Sequence, residues 1–197
     1  MTQLEYDLTI YPDPRLRVRA ATITDFDAGL AATAKAMFER MYASSGVGLA
    51  APQVGLKIRL FVLNEAGDPK EGEEMVFVNP TITRRTGAAT LYEEGCLSFP
   101  QIYAEVERPS SCTVTWQDLD GTEHEREFEG FLSRIVQHEY DHLEGVLLVD
   151  RMSPADKSRH RHALDALVAD YKAQHAPVKA SKGPSWLPKR SGSKKRR

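Results

Sequence analysis

The residues best suited to chemistry in this chain are His138, Glu139 and His142, within Gln137-His138-Glu139-Tyr140-Asp141-His142-Leu143-Glu144-Gly145. On a helix, positions four apart stand one turn apart on one face. Two imidazoles so placed can grip one metal ion, at about 2.0–2.1 Å if the metal is zinc. A carboxylate directly after the first histidine can reach a water activated by that metal and act as its general base. Ile135, His138, Glu139 and His142 follow i, i+3, i+4, i+7 spacing, and Leu132, Val136 and Leu143 lie beside them. Two histidines and a carboxylate on the buried side of a helix are costly unless paired or metal-bound. The five-residue pattern also arises by chance on solvated helices.

The helix offers two ligands, and a catalytic site usually takes three protein ligands plus water. Some metallopeptidases complete the set with a distant Glu or a third His, but no His follows six residues after His142. The better candidate lies upstream, in Glu93-Glu94-Gly95-Cys96-Leu97-Ser98-Phe99-Pro100, where a turn can expose Cys96. A thiolate is a strong ligand, although an inert buried cysteine is the common case. Cys112, between Ser111 and Thr113 in a strand-like run, fits that ordinary reading. A third segment, Gly46-Val47-Gly48-Leu49-Ala50-Ala51-Pro52-Gln53, is a small-residue wall that lets another backbone approach closely. Gln53 adds an amide donor suited to a developing oxyanion. Close packing of strands explains such a wall equally well.

These residues need elements to position them. Asp25 to Tyr42 reads as a helix capped by Asp25 and ended by Ser44-Ser45-Gly46. Lys57–Leu63 and Met75–Val78 read as strands, the second stopped by Asn79-Pro80. Ala104–Glu107, Cys112–Leu119 and Glu123–Phe128 read as further strands, with an Asp120-Gly121 turn before the last. Phe131–Leu143 is expected as the chemical helix, stopped by Gly145, and Pro154–Gln174 as a final amphipathic helix. Strands grouped before late helices indicate an α+β fold, with antiparallel sheets around a central metal-binding helix.

Composition sets the frame. The 197 residues, 41% hydrophobic, suit one domain with a sizeable core. No apolar run approaches the ~20 residues that span a bilayer, so no membrane partner is expected. The polar, acidic start MTQLEYDLTI reads as lacking a secretory signal. Two cysteines are too few for a disulfide scaffold and fit a reducing cytoplasm. The net charge of −2 conceals an asymmetry: eight of the 26 basic residues follow Ala176, with no acidic residue among them. We read residues 1–175 as the catalytic domain and 176–197 as a basic, disordered tail. That tail suits ribosomal RNA electrostatically, although a merely solvated extension fits it too. His124, His160, His162 and His175 have no ligand spacing with the site and read as surface residues.

Together the three segments resemble the peptide deformylase family. They match its patterns in order: Gly46 to Gln53, Glu94 to Ser98 and Gln137 to Gly145. The likeness extends over roughly Leu8 to Tyr171 and implies an α+β fold around the His-Glu-x-x-His helix. It implies Cys96, His138 and His142 as ligands of one Fe²⁺ per chain, with Zn²⁺, Ni²⁺ or Co²⁺ as substitutes. It implies hydrolysis of the formyl group of formyl-methionyl nascent peptides, with Glu139 as base and Gln53 and the Leu97 N–H as oxyanion donors. The peptide is expected along Gly46–Gly48, Val47 included, and along the segment after Pro100, bordered by Gly95. Phe131 and Ile135 serve either as a methionine pocket or as plain core, and the likeness adds Tyr92 and Arg134 to that pocket. Asp141 or Glu94 is expected to orient a ligand, unless Asp141 is simply solvated. Two rival readings remain: a peptidase built on the same helix motif, and an inactive RNA-binding or metal-storage module.

Overall fold

The computed structural model describes residues 4–176. Five antiparallel strands follow chain order across one sheet: β1 (Gly48–Ala50), β2 (Leu60–Leu63), β3 (Met75–Gly95), β4 (Tyr103–Gln117) and β5 (Glu123–Glu129). The helices are α1 (Ala28–Ala43), α2 (Gly130–Leu143), α3 (Leu148–Arg151), α4 (Pro154–Arg159) and α5 (Arg161–Gln174).

The sheet lies between α1 and α2, and β2 shows why. Its residues Leu-Phe-Val-Leu are all buried. Alternate side chains point to opposite faces, so Leu60 and Val62 join Leu30, Met37 and Met41 of α1. Phe61 and Leu63 join Ile135, Val136 and Leu143 of α2. A strand covered on both faces reads as a continuous apolar run. Each such side chain contributes on the order of 1.5–3 kcal/mol on burial. A third cluster, including Leu16, Phe99, Ile102 and Leu148, packs under the C-terminal helices.

Several local expectations are corrected. Asp27, not Asp25, caps α1: its carboxylate accepts the Leu30 N–H at 2.9 Å. Asn79-Pro80 does not end β3. Asn79 takes a left-handed conformation (φ 52°) in an irregularity between Val78 and Thr81, and the strand resumes. The Asn79 amide is anchored to both backbone groups of Ile23, at 2.8 Å each. The strands expected at 104–107 and 112–119 are one strand, with a register shift between Thr86 and Ala89 that falls opposite Ser110, next to Pro109. A bulge accommodates a proline that cannot donate to the ladder. The final helix is two, broken at His160 (φ −93°, ψ 7°), and α3 precedes them. His160 is half-buried rather than on the surface. Among the described residues no helix is long and apolar enough to cross a membrane.

Candidate metal centre

Helix α2 carries the site because it is the central helix, and its polar groups are buried with its apolar ones. Glu139, Asp141 and His142 are each less than a tenth exposed, alongside Ile135 and Val136. Gly145 ends the helix at φ 74°. A Cβ there would lie 2.6 Å from the Arg17 carbonyl oxygen, so the position has no room for a side chain.

Cys96 follows directly on β3, in a turn closed by the Phe99 N–H to the Cys96 carbonyl at 2.8 Å. This turn carries the thiol to helix α2. Cys96 Sγ lies 3.3 Å from His142 Nε2, and ligand atoms of Cys96, His138 and His142 all lie within 4.8 Å of one another. Bonds of about 2.0–2.3 Å in a tetrahedron give sulfur–nitrogen edges of about 3.5 Å. The thiol and the two imidazoles therefore fit one transition-metal ion. His138 Nδ1 is engaged by Glu94 Oε2 at 3.0 Å, which leaves its Nε2 for such an ion.

Glu139 is buried, and its Oε2 has no hydrogen-bond partner among the described residues. Burial raises its pKa to about 7, against the opposing pull of His138 and Arg108. Burial also disfavours charge on His142 and, with the neighbouring His138, depresses it well below the imidazole range. Burial works the same way on His138, but hydrogen bonds with Cys96 and Glu94 outweigh it and raise its pKa. In Glu94, burial is outweighed by hydrogen bonds from His138 and Arg108, which hold the carboxyl well below its usual range.

The small-residue segment supplies the opposite wall. A Cβ on Gly48 would lie 2.5 Å from a Glu139 carboxylate oxygen, so the glycine is what lets β1 pass against the helix. Gln53 is fixed by the Ala50 N–H donating to its Oε1 at 2.8 Å. Its Nε2–H is thereby turned towards Cys96 Sγ (3.6 Å) and Ser98 Oγ (3.4 Å).

A cleft of about 640 Å³ collects Val47, Gly48, Gln53, Tyr92, Gly95, Cys96, Leu97, Phe131, Arg134, Ile135, His138 and Glu139 on its lining. His142 is buried behind it. Phe131 is 42% exposed at the mouth, its ring 5.8 Å from that of Tyr92, so it is not a core residue. Ile135 belongs both to the cleft and to the core. Arg134 lies at the cleft beside Tyr92, as expected, and is held there: its guanidinium bonds to Glu94 (2.7 Å), the Val106 carbonyl and Thr90, and lies over the Tyr92 ring. Asp141 is not solvated; Arg108 and Arg151 bind it at 2.8 and 2.6 Å. Sequence reasoning missed Arg108. Its signal was there, since Ala104, Val106 and Arg108 share one buried face of β4, and a charge on such a stripe implies a buried partner.

An antiparallel sheet wrapped on a helix with two His and one Cys converging beside a buried carboxylate defines a metallohydrolase type of centre. A profile of polypeptide deformylases matches residues 6–158, and the chain belongs to that family. It is 48% identical over 147 residues to a peptide deformylase of Zymomonas mobilis, covering 72% of this chain and 82% of that one. It is 46% identical over 161 residues to the chloroplastic peptide deformylase 1B of Solanum lycopersicum, covering 82% of this chain. The chain spans 58% of the length of that plant relative. A plant peptide deformylase crystal structure superimposes with a TM-score of 0.86 at 44% identity, over 90% of this chain and 97% of that one.

Proposed function

We propose that this chain hydrolyses the formyl group from the formyl-methionine that begins newly made polypeptides, releasing formate. The observation that carries the reading is the meeting of Cys96, His138 and His142 with Glu139 and the Gln53 amide around one cleft. The ligand set suits one Fe²⁺ per chain, with Zn²⁺, Ni²⁺ or Co²⁺ as substitutes. Such a cation, when bound, supplies Lewis acidity and brings the pKa of a water towards neutrality. Glu139 accepts the proton of the attacking water at a carboxylate oxygen and returns it to the leaving amine nitrogen as the formyl C–N bond breaks. The Gln53 Nε2–H and the Leu97 N–H donate to the formyl oxygen as it gains negative charge.

The substrate backbone pairs along Gly46–Gly48, at the outer edge of the sheet where β1 has β2 on one side only. Gly95 and the stretch after Pro100 border it, and Phe131, Ile135 and Tyr92 receive the methionine side chain. A ferrous–thiolate centre is oxidisable, which favours a reducing compartment, and the cytoplasm is the proposed place of action. The basic segment lies outside the described residues; its proposed role is to hold the enzyme near ribosomal RNA. Unchanged ribosome co-sedimentation after truncation at Ala176 would remove that part of the proposal.

The main test is formate release from a formyl-Met tripeptide, using protein purified without oxygen and supplied with Fe²⁺, beside Glu139→Ala. Release by the native chain and near-loss in the variant is expected. No release from intact, metal-loaded protein would turn the reading to a peptidase on the same helix motif.

A further inference from the structure

The two histidines of the centre are held in different ways. His142 Nδ1 is buried and has no hydrogen-bond partner among the described residues, so on its far side from Cys96 only packing sets its ring. His138 Nδ1 is bonded to Glu94, and Glu94 is bound on both oxygens. Arg108 grips it as a fork, Nε to Oε1 at 2.7 Å and Nη2 to Oε2 at 3.0 Å. Arg134 adds a bond to Oε1 at 2.7 Å. The remaining arm of Arg108 reaches Asp141 Oδ2 at 2.8 Å. Asp141 is held in turn by Arg151 of α3, at 2.6 and 3.0 Å.

We propose that Arg108, braced by Asp141 and Arg151, is a positioning residue for the metal centre: it fixes the Glu94 carboxylate and through it the ring of His138. Three features support this. Arg108 is 5% exposed and sits between two carboxylates that are equally buried. A buried ion pair is a poor source of stability, because desolvation offsets its attraction; a role in orientation accounts better for its presence. A carboxylate behind a ligating imidazole sets its tautomer and direction, and a carboxylate that is free to rotate cannot. The rigid fork of arginine fixes a carboxylate plane where a lysine point charge does not. The brace also explains Asp141, which lies between the two ligating histidines yet points to the arginines.

This inference rests on the metal reading of Cys96, His138 and His142. The experiment uses the full chain loaded with Co²⁺, and reads two quantities besides activity: affinity by chelator competition, and the d–d and thiolate-to-cobalt absorption bands. Arg108→Lys and Arg108→Met are expected to lower Co²⁺ affinity by about 10–100-fold and to change the d–d bands. Asp141→Asn keeps the shape of the side chain and guards against misfolding of the Arg108 variants; it is expected to show the same spectral change with a smaller loss. Arg151→Met, at the outer end, should lose affinity least. Native-folded Arg108→Lys and Asp141→Asn proteins with wild-type affinity and spectrum would overturn the proposal. Failure of the native chain itself to bind Co²⁺ would instead overturn the metal reading.

Discussion

Helix α2 and the β3–β4 hairpin build the two sides of one centre by different means. The helix presents the two proposed histidine ligands and the proposed carboxylate base within five consecutive residues, on a face set by helical repeat alone. The hairpin brings Glu94 and Arg108 together across 14 positions, and both reach Asp141 or His138 on the helix only after the sheet has folded. The carboxylates reflect the difference. Glu139, on the helix, is buried with no cation bonded to it among the described residues, and its pKa rises to about 7. Glu94, on the hairpin, is equally buried but ringed by arginines and an imidazole, and its pKa falls. Burial is common to both; partners decide the sign. Labour is divided between them: the helix carries reactive groups and the hairpin carries groups that hold them.

The strongest challenge to this division is removal of the metal. Chelation is expected to abolish formate release, and Fe²⁺ or Co²⁺ to restore it; activity that survives complete chelation would break the comparison at its root. Next, Glu139→Gln should lower kcat by about 10²–10⁴ while leaving Co²⁺ binding intact, since the proposed role of Glu139 is base and not ligand. Gln53→Ala should follow, with a loss of roughly 10²–10³ in kcat and little change in fold, measured by circular dichroism.

A pH experiment sharpens the contrast without reference to turnover. In metal-free protein, burial raises the folded-state pKa of Glu139 from the ordinary carboxylate value of 4.5 to about 7. Its contribution to stability is present below about pH 4.5 and is lost as the pH rises through 7, on the order of 3 kcal/mol in all. Glu139→Gln should flatten that decline in urea melts. Glu94 has the opposite sign: its lowered pKa gives stability that is present above the ordinary carboxylate pKa of 4.5 and is lost as pH falls below it. Glu94→Gln should therefore blunt the loss of stability in acid, at the cost of lower stability near neutrality. Equal pH profiles for the two variants would erase the distinction between the two sides. The smallest effect is expected from Gly145→Ala, which touches neither side directly. Strain at φ 74° and contact with the Arg17 carbonyl should cost about 1–3 kcal/mol, read as a lower Tm with kcat nearly preserved.

The sequence by itself determined what a local period or a short motif can encode. The face shared by Ile135, His138, Glu139 and His142, the stop at Gly145, the apolar strand at 60–63 and the turn at Cys96 are all properties of a few neighbouring residues. The family likeness of three short segments rests on the same local information. Tertiary structure decided the rest. Asn79-Pro80 and Pro109 look like strand breakers until the bulges that absorb them are seen in register with a partner strand. Phe131 and Ile135 are equivalent apolar residues in the chain, and only packing put one at the open mouth of the cleft and the other where the cleft meets the core. The alternation of Ala104, Val106 and Arg108 marks Arg108 as buried without saying what it meets, and Arg151 looks like an ordinary surface charge. Their roles depend on Asp141 and Glu94 being brought within 3 Å of them, and the partner in a contact across folded elements has no local signature in the chain.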